Sequence, residues 1–452
     1  MKDVFDRNFL KKVTSIALPI AAQFFITSAV NLIDVVMLGR LGEPAVAATG
    51  AVNQIFFILQ LVAFGINSGA SVFLSQFWGT KDLRNTRRTM GMMYLLSMVA
   101  AVVFTAASLL FPAALVSLYI HEAPVIALGA DYLRIICLTF PLSLISFVLA
   151  TACRCTGSVK LPMRAGFVAI VVNVTGNLLL IFGLLGFPAL GVRGAAIATA
   201  LSRIAECGVL LFAVYRHKMP PAARLRELLA FDRPFITHYV KTTWPVLLNE
   251  TMWSVGVSLY SVAYGKLGTD ALAAVQISNT IVQLVNVFSR GLSNAAGILI
   301  GNQIGAGEES EAIRTSRRFL WLMPMTGVAL CVATYATAPA FLLLYNVSPA
   351  TLLLSRELLW VLGGATIVKS VTMVMIVGIC RSGGDTMFAC LADVGSVWLV
   401  GVPTAFLGVY LGLPLWAVSL CAMSEDIVKI IICTPRIRSG KWVRNVAAAL
   451  QK

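Results

Sequence analysis

Charge is scarce in this chain. Asp, Glu, Lys and Arg make up 12% of its 452 residues, about half the roughly 25% of an average soluble domain. With 58% hydrophobic residues and a mean hydropathy of +0.86, no soluble domain of useful size is left, and lipid is the main solvent. Histidine is rarer still: His121, His217 and His238 are the whole set, and none is placed as a metal-binding pair. The nine cysteines are scattered without ligand spacing, which argues against both a disulfide framework and a zinc site. No glycine loop of the GxxxxGK type occurs to cradle a phosphate, so ATP-driven pumping within this chain is excluded. A membrane-embedded transferase would need a cytoplasmic cluster of carboxylates or histidines, and the sequence has none. The chain reads as a non-enzyme with no bound cofactor, driven by an ion gradient or by the gradient of what it carries.

Acidic residues are the scarcer sign, 20 against 35 basic ones, for a net charge of +15. That excess suggests nucleic acid until its placement is read. Basic residues gather at alternate loops: Lys2 to Lys12, Lys81 to Arg88, Arg154 to Arg164, Arg216 to Lys241, Arg314 to Arg318 with Arg381, and Arg436 to Lys452. The loops between hold only Arg40, Arg134, Arg193, Lys266 and Arg356. This is the positive-inside asymmetry, so the charge reports topology, with both termini in the cytoplasm and no nucleic-acid partner. The first apolar run, Val13 to Leu38, is too long for a cleaved leader and contains Pro19 and Asp34, so it reads as a retained first helix.

The alternation predicts twelve transmembrane helices, near 13–38, 47–77, 90–118, 124–153, 162–186 and 191–215, then 237–263, 271–301, 316–344, 351–380, 387–410 and 413–433. Adding 226 to the numbering lays the second set on the first. Pro19 falls on Pro245, Gly39 on Gly265, Leu41-Gly42 on Leu267-Gly268, Asn53 on Asn279, Gly65 on Gly291 and Gly79 on Gly305. With a one-residue slip, Cys153-Arg154 and Gly157 fall on Cys380-Arg381 and Gly384. The expected fold is an all-α integral membrane protein of two six-helix lobes, 1–216 and 237–435, with a cytoplasmic connector at 217–236 and a basic tail at 436–452. An even number of crossings per lobe relates the lobes by a pseudo-two-fold axis along the membrane normal. Paired bundles of this kind rock about a central site, and each lobe already has its partner, so a monomer is expected.

Ionisable groups at membrane depth cost about 2.5–3.5 kcal/mol on insertion scales and face a cavity or a partner. Asp34 lies six residues before Arg40, about 9 Å along the helix at 1.5 Å per residue. Asn173 and Asn177, four apart, share one face of the fifth helix. Thr199 sits at the same depth in the sixth. A carboxylate, two amide carbonyls and a hydroxyl are a hard-oxygen set for a small cation such as Na+. They could equally surround a carboxyl that takes up and releases a proton, or serve as interhelical hydrogen-bond glue. In the second lobe Glu250 is the candidate for a cationic substrate or coupling ion, with a structural ion pair as the plain alternative. Lys369 and Asp393 are expected to neutralise one another, Arg203 and Glu206 to form a local pair, and Arg290 to extend along the helix toward water. Met252, Trp253, Tyr260 and Phe288 read as packing, in a cavity adaptable enough for varied ligands.

Four segments carry a family resemblance: Leu32-Ile-Asp34-Val-Val-Met-Leu-Gly-Arg-Leu-Gly42, Tyr264-Gly-Lys-Leu-Gly-Thr-Asp-Ala-Leu-Ala-Ala274, Gly191-Val-Arg-Gly-Ala-Ala-Ile-Ala-Thr199 and Arg381-Ser-Gly-Gly-Asp-Thr386. In this order they resemble the multidrug and toxic compound extrusion (MATE) family along nearly the whole chain. The resemblance implies a bacterial inner-membrane antiporter that exports organic cations and other small amphipathic molecules against inflow of Na+ or H+. It also implies that Asp34, Asn173, Asn177 and Thr199 form the cation site of the first lobe. Two positions depart from family patterns. One branch carries an acid about eleven residues before the arginine matching Arg381, where this chain has Ser370 beside Lys369; other members have aspartate in place of Asn177. A related lipid-linked precursor flippase is the alternative, but it would need a cationic cavity for pyrophosphate, and Asp34 and Glu250 are acidic.

Overall fold

The computed structural model describes residues 6–343, 345 and 347–450. Lys2, Leu344 and Lys452, which the sequence placed in basic or apolar runs, lie outside the described residues. Among the described residues there are twelve long helices: α1 (Arg7–Gly39), α2 (Glu43–Gly79), α3 (Leu83–Leu110), α4 (Ala123–Cys155), α5 (Lys160–Phe182), α6 (Val192–Arg216), α7 (Arg233–Gly265), α8 (Thr269–Gly305), α9 (Glu309–Leu342), α10 (Pro349–Arg381), α11 (Thr386–Tyr410) and α12 (Leu415–Arg438). Among the described residues there is no strand, only one isolated bridge between Gly384 and Val443.

Local chemistry fixes where helices begin and end. Helix α3 starts at Leu83, earlier than hydropathy suggests, because Asp82 caps it by accepting the Asn85 N–H at 3.0 Å. It stops at Leu110 because proline at 112 cannot continue a helix, and a short helix, Pro112–Ser117, takes over. Helix α5 ends at Gly183, whose φ of +72° a side chain would resist.

Ten of the helices are long and apolar enough to cross a membrane by composition. The other two, α7 and α12, have 33 and 24 residues, which at 1.5 Å per residue also exceed a roughly 30 Å hydrocarbon core. Their membrane-length stretches carry the polar side chains Asn249 and Glu250 in α7 and the charged Glu425, Asp426 and Lys429 in α12.

The chain divides into two compact units, 22–74 with 82–236, and 1–21 with 75–81 and 237–452. The cut through α1 falls just past Pro19, where a backbone hydrogen bond is lost and the helix is weakest. In the first unit Val52, Leu59, Phe140, Leu144 and Ile181 form the core. The segment 217–236, expected as a cytoplasmic connector, is docked on α3: Arg87 pairs with Glu227 and Arg88 with Asp232, both at 2.7 Å.

In the second unit the start of α1 supplies Phe9, Val13 and Ala17 to a core with Leu299, Phe319, Met323, Ile379 and Trp442. The end of α2 crosses α8 reciprocally. A side chain on Gly79 would strike the Asn302 carbonyl, and one on Gly305 the Gln76 carbonyl; these residues are repeat partners, since 79 + 226 = 305 and 76 + 226 = 302. The basic segment expected at 436–452 is docked over its described residues. Arg436 and Arg438 belong to the helix, Trp442 is fully buried, and Arg436 and Arg444 both grip the buried Asp385 at 2.7 and 3.0 Å. Gln76 Oε1 accepts the N–H groups of Val446 and Ala447, and its Nε2 donates to the Arg444 carbonyl.

Candidate cation site

Helices α5 and α6 meet through small residues. A Cβ on Gly176 would lie 2.9 Å from that of Ala198, and one on Gly194 would overlap the Leu180 carbonyl. This close approach, common where membrane helices pack, brings the polar face of α5 against α6 and α1. The result is one chain of hydrogen bonds. Asn177 Nδ2 donates to Asp34 Oδ1 at 2.5 Å and to Asn173 Oδ1 at 3.2 Å, and Asn173 Nδ2 donates to Thr199 Oγ1 at 3.2 Å. All four side chains that the spacing put at one depth are therefore joined. The two asparagines are fully buried, whereas Asp34 and Thr199 are partly accessible.

One atom in this chain is left over. Asn177 Oδ1 is buried without a hydrogen-bond partner, and such orphans call for an explanation. Together with the Asp34 carboxylate and the oxygens of Asn173 and Thr199, it gives a donor set of one charge and neutral oxygens. That set fits a monovalent cation or a proton on Asp34 better than a divalent ion. Two neighbours were not picked out as part of the site from sequence. Tyr132 is buried close enough to Asp34 and Thr199 to interact with both, and Arg203 acts electrostatically on Asp34 while paired to Glu206 at 3.0 Å.

The second unit holds a different arrangement. Glu250 is buried, and its Oε1 meets Arg381 Nη1 at 2.6 Å. Asp393 does not pair with Lys369, as expected from the sequence. Its Oδ1 takes Lys429 Nζ at 2.8 Å and its Oδ2 accepts Asn249 Nδ2 at 3.1 Å, while Lys369 is exposed. The reason is burial: Lys429, only 4% accessible, would be a costly lone charge in this interior without a carboxylate. Lys429 also binds Glu425 Oε1 at 3.0 Å, and Tyr260, expected as packing, donates its hydroxyl to Glu425 Oε2 at 2.5 Å. Thr372 donates to Asp426 at 2.9 Å. The signal missed was the polar run Ser424-Glu-Asp-Ile-Val-Lys429 inside a membrane-length helix, with Glu425 and Lys429 one helical turn apart.

The MatE family model matches residues 19–179 and again residues 245–407, and the two matches start 245 − 19 = 226 residues apart, the same interval as the internal repeat. The chain belongs to the MatE family. It is thus a multi-pass membrane transporter, with bacterial relatives. A probable multidrug resistance protein, YoeA of Bacillus subtilis, is 28% identical over 89% of this chain and 90% of its own length. A probable multidrug resistance protein NorM of Thermotoga maritima is 22% identical over 98% and 95%. Among solved structures, an outward-facing multidrug resistance MATE transporter of the MOP superfamily superposes with a TM-score of 0.86 over 95% of this chain and 96% of its own, at 18% identity. A MOP superfamily transporter from Pyrococcus furiosus, described as having a binding pocket of reverse polarity, superposes equally well. At such identities the likeness is one of fold, and it agrees with the twelve-helix reading of the sequence.

Proposed function

We propose that this MatE protein is a multidrug exporter that expels organic cations and other small amphipathic compounds by antiport with Na+ or H+, in a bacterial cytoplasmic membrane with both termini inside. It works as a monomer among lipids, with no catalytic step. The observation that carries this is the hydrogen-bonded chain Asp34–Asn177–Asn173–Thr199 with its orphan Asn177 oxygen. A bound cation or proton supplies the charge that cancels Asp34. The protein's part is to hold that carboxyl by Asn177, fix Asn177 through Asn173 and Thr199, and let charge on Asp34 bias the two conformations of the transport cycle. Glu250, ion-paired to Arg381, is the second-lobe position at which a cationic substrate or coupling ion would compete for a carboxylate.

The polarity of the second unit supports export of cations over the flippase alternative. The buried Glu250, Glu425 and Asp426 and the partly buried Asp393 face two bases, Arg381 and Lys429, an acidic balance unsuited to a pyrophosphate. The test is efflux of a fluorescent organic cation from proteoliposomes under separate Na+ and pH gradients. Wild type should follow one gradient or both, and Asp34→Asn should follow neither. Unchanged gradient-driven efflux in Asp34→Asn would reject the site, and equal efflux with no gradient would reject antiport.

A further inference from the structure

We propose that Glu425, held between Tyr260 and Lys429, is a second exchangeable proton site, carried by α12. Its setting is the repeat counterpart of the first site: α7, α11 and α12 stand where α1, α5 and α6 stand in the other half, and Tyr260 occupies the position of Asp34, since 34 + 226 = 260. The acid has moved from one helix to another. Counted from the helix starts at Val192 and Leu415, the pair Arg203–Glu206 falls on Asp426–Lys429, with the order of charges reversed.

Charge balance requires positive charge from outside. The groups around Glu425 are Tyr260, Tyr264, Glu250 and Asn249 on α7, Thr372 and Arg381 on α10, Asp393 on α11, and Asp426 and Lys429 on α12. Arg381 is bound to Glu250 and also acts on Asp393. Lys429 serves Asp393, Glu425 and, more distantly, Asp426. Two bases cannot neutralise four carboxylates at membrane depth, where each uncompensated charge is expensive. The surrounding donors select the ligand. Glu425 is approached by a hydroxyl and an ammonium, both of which point hydrogens at it, so a metal cation would meet a like charge in Lys429. A proton would not. It comes from bulk water, forms an O–H bond on Glu425, and leaves Lys429 to pair with Asp393 alone.

Two further features point to a working site. Asn249 is 2% accessible; its Nδ2 is spent on Asp393, and its Oδ1 is buried against the same cluster with no partner. The backbone of α11 is π-helical over Val397–Gly401, an irregularity often found at functional positions. It brings Gly401 so close that a Cβ there would strike the Tyr260 hydroxyl and lie 2.7 Å from Glu425 Oε2.

The proposal rests on the antiport reading for its role, and the test keeps the two apart. The purified full chain is stepped between acid and neutral pH while infrared difference spectra record the carboxyl C=O band that appears on protonation. Wild type should show one band that Asp34→Asn removes and another that Glu425→Gln removes. Loss of the second band alone, with the Asp34 band silent, would fail the coupling site and uphold this one. A full set of wild-type bands in Glu425→Gln would overturn the proposal. Tyr260→Phe keeps the carboxyl and removes its hydroxyl donor, so the Glu425 band should move to higher frequency. A band left in place by Tyr260→Phe would also overturn it.

Discussion

The two halves share a backbone plan and solve the problem of buried polarity in opposite ways. In the unit built on 22–74 and 82–236, a single acid, Asp34, is held by neutral groups, Asn177, Asn173 and Thr199. In the other, carboxylates and bases are knitted into a mesh in which Lys429 holds Asp393 and Glu425, and Arg381 holds Glu250. Duplication kept what helix packing needs, such as Pro19 and Pro245 or Gly79 and Gly305, and let the charged side chains drift. An acid held by neutral dipoles gains or loses a cation without unbalancing its neighbours. An acid inside a mesh changes charge only by redistributing its partners, as a proton on Glu425 would leave Lys429 to Asp393 alone.

The comparison breaks most visibly at Lys429. Lys429→Met should cost about 3–5 kcal/mol, as for other buried pairs that lose one member, seen as a large fall in melting temperature in detergent. Adding Asp393→Asn should return part of it, and no fall at all would show that the mesh carries no net charge interaction. Next, Asp34→Asn should reduce gradient-driven efflux about a hundredfold, or about 2.7 kcal/mol in barrier terms, with little change in melting temperature. A comparable loss of stability would place Asp34 in a mesh as well. Third, Gly176→Val forces α5 from Ala198 and should cost about 1–3 kcal/mol by overpacking, lowering melting temperature and coupled efflux together.

The smallest effect concerns the docked connector. The Arg224 N–H holds the Glu227 carboxyl below the usual range, and the Phe235 N–H does the same for Asp232, each aided by an arginine of α3. Depressed carboxyls stabilise the docked form fully above their unfolded values, about 4, and lose that contribution as pH falls below them. Hydrogen exchange over residues 224–235, corrected for intrinsic pH dependence, should be flat from neutrality to about pH 5 and rise below about 4. Glu227→Gln should remove part of that rise.

Much of this was legible from spacing. Two asparagines four apart, an aspartate six residues from a loop arginine, and glycines repeating at 226 are patterns that helical geometry converts directly into shared faces and depths. What stayed hidden depended on contacts between distant helices. Nothing in the sequence says that Asp393 meets Lys429 and not Lys369, because that choice lies in the rotation of α12 against α11. Tyr260 looked like packing because its partner, Glu425, is 165 residues away. The segment after α12 read only as a basic tail because its lysines and arginines outnumber Trp442, although that one indole is what the core takes.

Trp442 has a consequence for how the protein is made. It shares a core with Phe9, Val13 and Ala17, residues synthesised long before it, while Trp442 leaves the ribosome after all twelve long helices. The opening segment of α1 must therefore wait, inserted but incompletely packed, while the helices between are made. Until Trp442 emerges, that half of the molecule is a set of helices without a finished interior. A nascent chain stalled short of Trp442 should be open to membrane proteases that ignore the completed protein.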